Sequence, residues 1–148
     1  MESRSSLWYF PFHCSRIAAN AKLIRHGNLS LEYGPDFEFY DSTDLSVSAE
    51  LIESLYLEET AKYGVDNVVL LSPYRQKTET GVNALNQRLQ GKINPPADNK
   101  NEAVHGQRRF REGDKVMQIR NCEDVSNGDV GYIISITGTT SDALVKVD

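Results

Sequence analysis

At 148 residues the chain has room for one average domain or two small ones, and 39% hydrophobic with 25% charged residues is the make-up of a globular protein, not a disordered one. No apolar run approaches the ~20 residues of a membrane-spanning helix, and the short patch in MESRSSLWYFPF lacks the long apolar stretch and cleavage site of a secretion signal, so a cytoplasmic chain with no membrane partner is expected. The net charge of −5 disfavours a polyanion ligand, but it is unevenly spread: residues 1–74 carry 5 basic and 11 acidic side chains, 75–120 carry 10 and 5, and 121–148 carry 1 and 5.

In chain order, residues 14–26 (CSRIAANAKLIRH) place Ile17, Ala21 and Ile24 at helical spacing, with Ser15 as N-cap and Gly27 as C-cap. Residues 37–41 (FEFYD) alternate and predict a strand. Residues 46–64 predict a helix with Leu51, Ile52, Leu55 and Tyr56 on its apolar face and Gly64 as its end. NVVLLS (67–72) is almost wholly apolar, as a strand buried on both faces would be. Residues 80–91 predict a second helix, stopped by Gly91, with Val82, Leu85 and Leu89 on one face and Asn83, Asn86 and Gln90 on another. Residues 94–107 are polar and predict a loop.

The texture then turns to β. Strands are expected at 115–119, 130–136 and 143–147, and Asn127-Gly128 is a turn signal, since both residues tolerate positive φ. Val116, Val130, Tyr132, Ile134 and Val145 are the expected core of this small unit. Two Gly-Asp pairs, Gly113-Asp114 and Gly128-Asp129, shape the starts of its strands, with the aspartates in turn chemistry.

No GxxxxGK[ST] phosphate loop, HExxH or GxSxG string is present. Cys14 and Cys122 are isolated and His13, His26 and His105 are scattered, so no metal site is expected. The acidic residues of 36–59 fit a solvated face better than paired catalytic carboxylates.

The informative segment is LLSPYRQKTETGVNALNQRLQGKINP (70–95). A strand end, a loop with Arg75 and Lys77, and a helix start together could hold a phosphate. The Asn83/Asn86/Gln90 stripe could donate to a nucleic-acid backbone or base edges, or could be an ordinary solvated face. Tyr74 could stack on a base or pack. Arg108, Arg109 and Arg111 could touch phosphates or form a solvated linker.

Ser72-Pro73-Tyr74-Arg75, Gly81, Leu85-Asn86, Leu89-Gln90 and Asn94-Pro95, taken together, resemble the second motor domain of RecD-like superfamily 1 DNA helicases (the exodeoxyribonuclease V alpha subunit type). Gly113-Asp114, Val116-Met117-Gln118, Asn121, Val125, Asn127-Gly128-Asp129 and Gly131 resemble the same family's SH3-like insert, and SRIAANAKLIRHGN (15–28) resembles its SxIxxNAxxIxxG helix. The family's Walker A lysine and Walker B acids have no counterpart. Tyr9-Phe10-Pro11 stand where an FRQ triplet is usual, and the chain ends before the later motor strings.

The resemblance implies an α/β fold: a partial RecA-like (P-loop NTPase type) second motor domain over residues 1–107, then a small SH3-like β-barrel over 108–148. It implies a fragment of an ATP-dependent helicase that contributes single-stranded DNA contacts and part of the ATP-cleft lobe, and that is inactive alone. ATP and Mg would belong to the parent enzyme and no cofactor to this chain. The candidate DNA-contacting residues are Ser72, Arg75, Asn83, Asn86, Gln90, Gln118, Arg120, Asn121 and Asn127, with turn chemistry an equal reading for Asn121 and Asn127. The partners would be single-stranded DNA and the missing motor domain, with homo-oligomers through exposed sheet edges as a further expectation. The alternative is a non-motor nucleic-acid- or protein-binding module with an SH3/KOW-like barrel. The motor reading requires 67–72 to be a central strand of a parallel sheet, with Arg75 on the barrel side.

Overall fold

The computed structural model describes residues 15–76, 78–122, 124–138 and 143–148. The aromatic patch near the N-terminus, His13, Cys14 and Lys77 lie outside them. Among the described residues the chain divides at Asp41/Ser42 into two compact units.

In the first unit, helix α1 spans Arg16–Arg25, with the Ser15 hydroxyl accepting from the Ala18 amide at 3.4 Å and Gly27 leaving the helix at φ 71°. Asn20 is buried, and its amide group reads the backbone of Glu32 in both directions. Nδ2 donates to the Glu32 carbonyl at 2.7 Å and Oδ1 accepts from the Glu32 amide at 3.0 Å. The strand expected at 37–41 does not form: Phe37 makes one isolated antiparallel bridge with Gly34, and a ladder needs a partner that continues beyond one pair.

In the second unit, helix α2 spans Leu45–Tyr63, capped by Asp44, whose carboxylate accepts from the Ser46 and Val47 amides at 2.8 and 3.1 Å. Gly64 at φ 83° ends it, and a 3-10 turn, Val65–Asn67, follows. Helix α3 spans Val82–Ile93 and runs through Gly91, which does not stop it; Asn94 is its C-cap. Leu85 and Leu89 are buried, and Arg88 Nε donates to Glu53 of α2 at 2.8 Å.

The run expected to be a strand buried on both faces, 67–72, is not one. Val69 is 76% and Leu71 86% exposed, and the run joins no sheet. A both-face-buried strand takes its definition from neighbours on two edges and two faces, and the described residues supply no strand on either edge. All strand pairings among the described residues are antiparallel, so the central parallel strand that the motor reading requires is not observed.

Five strands follow: β1 Glu102–His105, β2 Arg108–Arg111, β3 Lys115–Met117, β4 Val130–Thr137 and β5 Leu144–Val147. β1 and β2 form a hairpin around Gly106-Gln107, with Gly106 at φ 63°, so the loop expected over 94–107 contains a strand and the expected boundary at 107/108 falls inside this hairpin. β3, β4 and β5 form a second sheet in that order. The sheets share a core of Ala103, Ile133 and Ile136, with Phe110, Val116 and Ala143 packed against it. Small antiparallel sheets closing on one apolar centre are what an SH3-like unit consists of.

The core phase differs from expectation. A bulge between Ile133 and Ser135 shifts the β4–β5 register, so inward residues are spaced by three. Ile133 is 2% exposed, whereas Ile134 is 50% exposed and Val130 and Val145 are also exposed. Of the five expected core residues only Val116 belongs to this cluster.

Candidate nucleic-acid interface

The basic stretch is neutralised in part within the fold. Arg111 and Arg109 both pair with Glu102, at 2.6 and 3.0 Å, Arg88 pairs with Glu53, and Lys115 lies 3.3 Å from Asp66. Arg111 is buried and also donates to the Asn94 carbonyl, so it is not available to phosphates. Its guanidinium, with that of Arg109, holds the Glu102 carboxyl below its ordinary range; the hydrogen bond from Arg111 is the largest cause. Among the described residues of this unit, Arg75, Lys100, Arg108, Arg120 and Lys146 are the cations without an acidic partner, and of these Lys100 is bonded to the Asn94 side chain. The overall excess over 75–120 therefore overstates the surface charge.

Arg75 is placed by the start of α3. The Val82 amide donates to the Tyr74 carbonyl at 2.9 Å and the Asn83 amide to the Arg75 carbonyl at 3.2 Å. Those loop carbonyls occupy the first amides of the helix, so its N-terminus does not offer them to a phosphate, and the exposed Arg75 guanidinium is what remains for one. The Ser72 hydroxyl donates to the Thr80 carbonyl at 2.7 Å and accepts from the Tyr74 amide at 3.3 Å, which shapes this loop. Tyr74 is exposed.

The polar stripe of α3 splits. Asn86 is exposed and Asn83 half-buried, and neither side chain has a hydrogen-bond partner among the described residues. Gln90 turns to the β-unit, where Nε2 donates to Asp114 Oδ2 at 2.6 Å and to the Arg109 carbonyl at 3.1 Å. Asn94, one turn on, donates to Asp114 Oδ1 at 2.7 Å and to the Glu112 carbonyl at 3.1 Å, and accepts from Lys100. The Arg111 amide also donates to Asp114 Oδ2, at 2.7 Å. Asp114 thus does more than turn chemistry: three donors from α3 and the β2–β3 turn converge on it. Gly113 at φ 89° supplies the left-handed step that brings it there.

In the β3–β4 loop, Asn121 Oδ1 accepts from the Asn127 amide at 2.7 Å, Asp129 Oδ2 accepts from the Ser126 amide at 2.8 Å, and Gly128 turns at φ 100°. Gln118 donates to Cys122 Sγ at 3.0 Å. Arg120 is exposed, with Ile119 and Met117 beside it. The sequence-derived residues fall into two groups: Arg75, Asn83, Asn86 and Arg120 present free side chains, whereas those of Ser72, Gln90, Gln118 and Asn121 are engaged inside the chain. Asn127 lends its backbone amide to the turn. Asp114, Asn94 and Glu102 were missed as a network; the i, i+4 spacing of Gln90 and Asn94 was the available signal, since it puts both amides on one helix face.

Among the described residues no group of three or more His, Cys, Asp or Glu side chains is placed to hold a metal ion. With no glycine-rich phosphate loop in the sequence and the first two α3 amides already bonded to loop carbonyls, the described residues do not fit a complete ATP–Mg site. No helix among the described residues is long and apolar enough to cross a membrane.

Residues 85–148 match the family model of the ATP-dependent RecD-like DNA helicase SH3 domain. The match covers less than half of the chain. It begins inside α3 and takes in the whole Asp114 network and both sheets, so the helix and the β-unit that the network ties together fall in one family region. It supports a relationship of this chain to RecD-like helicases through their SH3 domain; a RecA-like motor lobe is not part of it. No solved structure matches the chain.

Proposed function

We propose that this chain is a piece of a RecD-like DNA helicase, the SH3-like insert with an adjoining part of the second motor domain, and that it grips single-stranded DNA. The observation that carries the reading is the family match over residues 85–148 together with two free cations, Arg75 in the loop before α3 and Arg120 in the loop after β3. Arg75 and Arg120 would take phosphates, Asn83 and Asn86 would donate to backbone or base edges, and Tyr74 would offer a stacking face. Binding of this kind tracks the backbone and has little sequence preference. In the parent enzyme the α2–α3 part would border the ATP cleft, with the nucleotide held by the other motor domain. ATP turnover would not reside in this chain.

The experiment is a fluorescence anisotropy titration of the full chain with labelled oligo-dT. Binding at low salt that weakens as salt rises supports the reading. No binding at low salt and high protein concentration removes it. Binding of duplex or of protein partners alone would favour the non-motor module.

A further inference from the structure

We infer that Asp114 is a positioning residue that makes α3 and the β-unit one rigid frame, so that Arg75 and Arg120 act as a single footprint; this rests on the nucleic-acid reading above. The helical and β parts each have their own apolar packing. Leu85 and Leu89 are buried on α3, while the Ala103, Ile133 and Ile136 cluster lies between the sheets. The bonds between the parts are polar: Lys115 and Tyr132 reach Val65 and Asp66 after α2, and the bonds from α3 centre on Asp114. Asn94, the C-cap of α3, donates to Asp114 Oδ1, Gln90 of α3 and the Arg111 amide both donate to Oδ2, and the Arg111 guanidinium donates to the Asn94 carbonyl. On the other side of the joint, the Asp114 carbonyl accepts from the Ile133 amide at 2.9 Å, which carries the restraint into β4.

The two candidate contacts sit at opposite ends of this chain of bonds. The Arg75 carbonyl is tied to the first turn of α3, and Arg120 follows β3, which begins next to Asp114. Two weak contacts on one rigid frame bind a strand long enough to span them with a raised effective concentration, and a loose joint forfeits it. A ligand short enough to touch one contact gains nothing from the joint.

Three donors meet a carboxylate with no donor of its own, so Asp114→Asn keeps the shape but sets an NH2 group against at least one N–H. The substitution also removes a negative charge, which by itself would tighten binding to DNA. Weaker binding in this variant therefore cannot come from charge.

The test compares oligo-dT of about 4 and about 16 nucleotides, a range that single small β-barrel modules cover, on wild type, Asp114→Asn and the milder Gln90→Ala. In parallel, spin labels at Gln87→Cys and Ser135→Cys, with Cys14 and Cys122 replaced by Ser, report the distance between α3 and β4. In Asp114→Asn the preference for the long oligonucleotide should fall several-fold, the short-oligonucleotide affinity should hold or rise, and the interspin distribution should broaden. Gln90→Ala should move the same readouts less. An unchanged length preference with an unchanged distribution overturns the inference. If the wild type binds neither oligonucleotide, the nucleic-acid reading falls, and the interspin width alone decides whether Asp114 is the joint: broadening supports it and an unchanged width overturns it. Should Asp114→Asn fail to fold, Gln90→Ala decides by the same two readouts.

Discussion

Arg111, 4% exposed, donates from Nε to Glu102 Oε1 at 2.6 Å, and this one pairing changes what the basic strand RRFR can do. A guanidinium that would otherwise read as a phosphate contact is instead spent on holding β1 to β2 and the strand pair to the end of α3. Removing Glu102 leaves that cation buried without its anion, and the penalty is the desolvation of a charge that nothing compensates. Glu102→Ala should lower the unfolding free energy by about 2 kcal/mol in a urea titration, and Arg108→Ala, at an exposed cation without an acidic partner among the described residues, should change it little.

The bulge in β4 predicts an asymmetric pair of truncations. Ile133→Ala opens a cavity in the Ala103, Ile133 and Ile136 cluster and should cost about 3 kcal/mol. Ile134→Ala removes a half-exposed side chain and should cost well under that. Equal losses would mean that the inward phase of β4 is not the one described.

Two glycines separate helix propensity from close approach. Gly91 lies within α3 with open space around it, so Gly91→Ala should stabilise the chain by about 0.8 kcal/mol. At Gly131 a Cβ would collide with the Asp148 carbonyl and the Val147 side chain, so Gly131→Ala should destabilise by splaying β5 from β4. Thermal unfolding followed by circular dichroism reads both signs.

Stability should fall at both ends of the pH range. Glu102 is held low chiefly by the Arg111 hydrogen bond, and Asp66 chiefly by the hydrogen bond from Tyr132, aided by Lys115. Their contributions are present above the unfolded carboxylate values near about 4 and are lost as pH falls through the lower folded values. Tyr132 is held high, first by its bond to Asp66, so its contribution is complete below about 10 and is lost as pH rises through the folded value. Urea midpoints against pH should show both limbs; Glu102→Gln should flatten the acid one and Tyr132→Phe the alkaline one.

The helices were legible because their signals are local. Ser15 and Gly27 bracket α1, and the apolar face and Gly64 mark α2. The strands expected at 37–41 and 67–72 failed for the opposite reason: alternation or an apolar run describes a segment, but a strand exists only with a partner, which a single stretch of sequence does not name. β1 was hidden in a polar segment, although Ala103 and Phe110 across the two residues Gly106-Gln107 were its signature. The β4 core phase was lost to a bulge, which period-two reasoning does not contain. In the candidate site, residue types were readable but their engagement was not. Gln90 and Asn86 look alike on a helical projection, and only the position of Asp114 shows that one is bonded inside and the other free.

On the proposed function, a few specific free cations, and not the basic stretch as a whole, grip the nucleic acid. The direct measurement is the salt dependence of oligo-dT binding for wild type, Arg75→Ala, Arg120→Ala and Lys100→Ala. Each true phosphate contact contributes a slope of about 0.7 in log affinity against log salt on a single strand. The prediction is that Arg75→Ala and Arg120→Ala each lower the slope by about that amount while Lys100→Ala, whose ammonium is bonded to Asn94, leaves it unchanged. Equal slopes in all four proteins, or a loss at Lys100 matching that at Arg75, would contradict it.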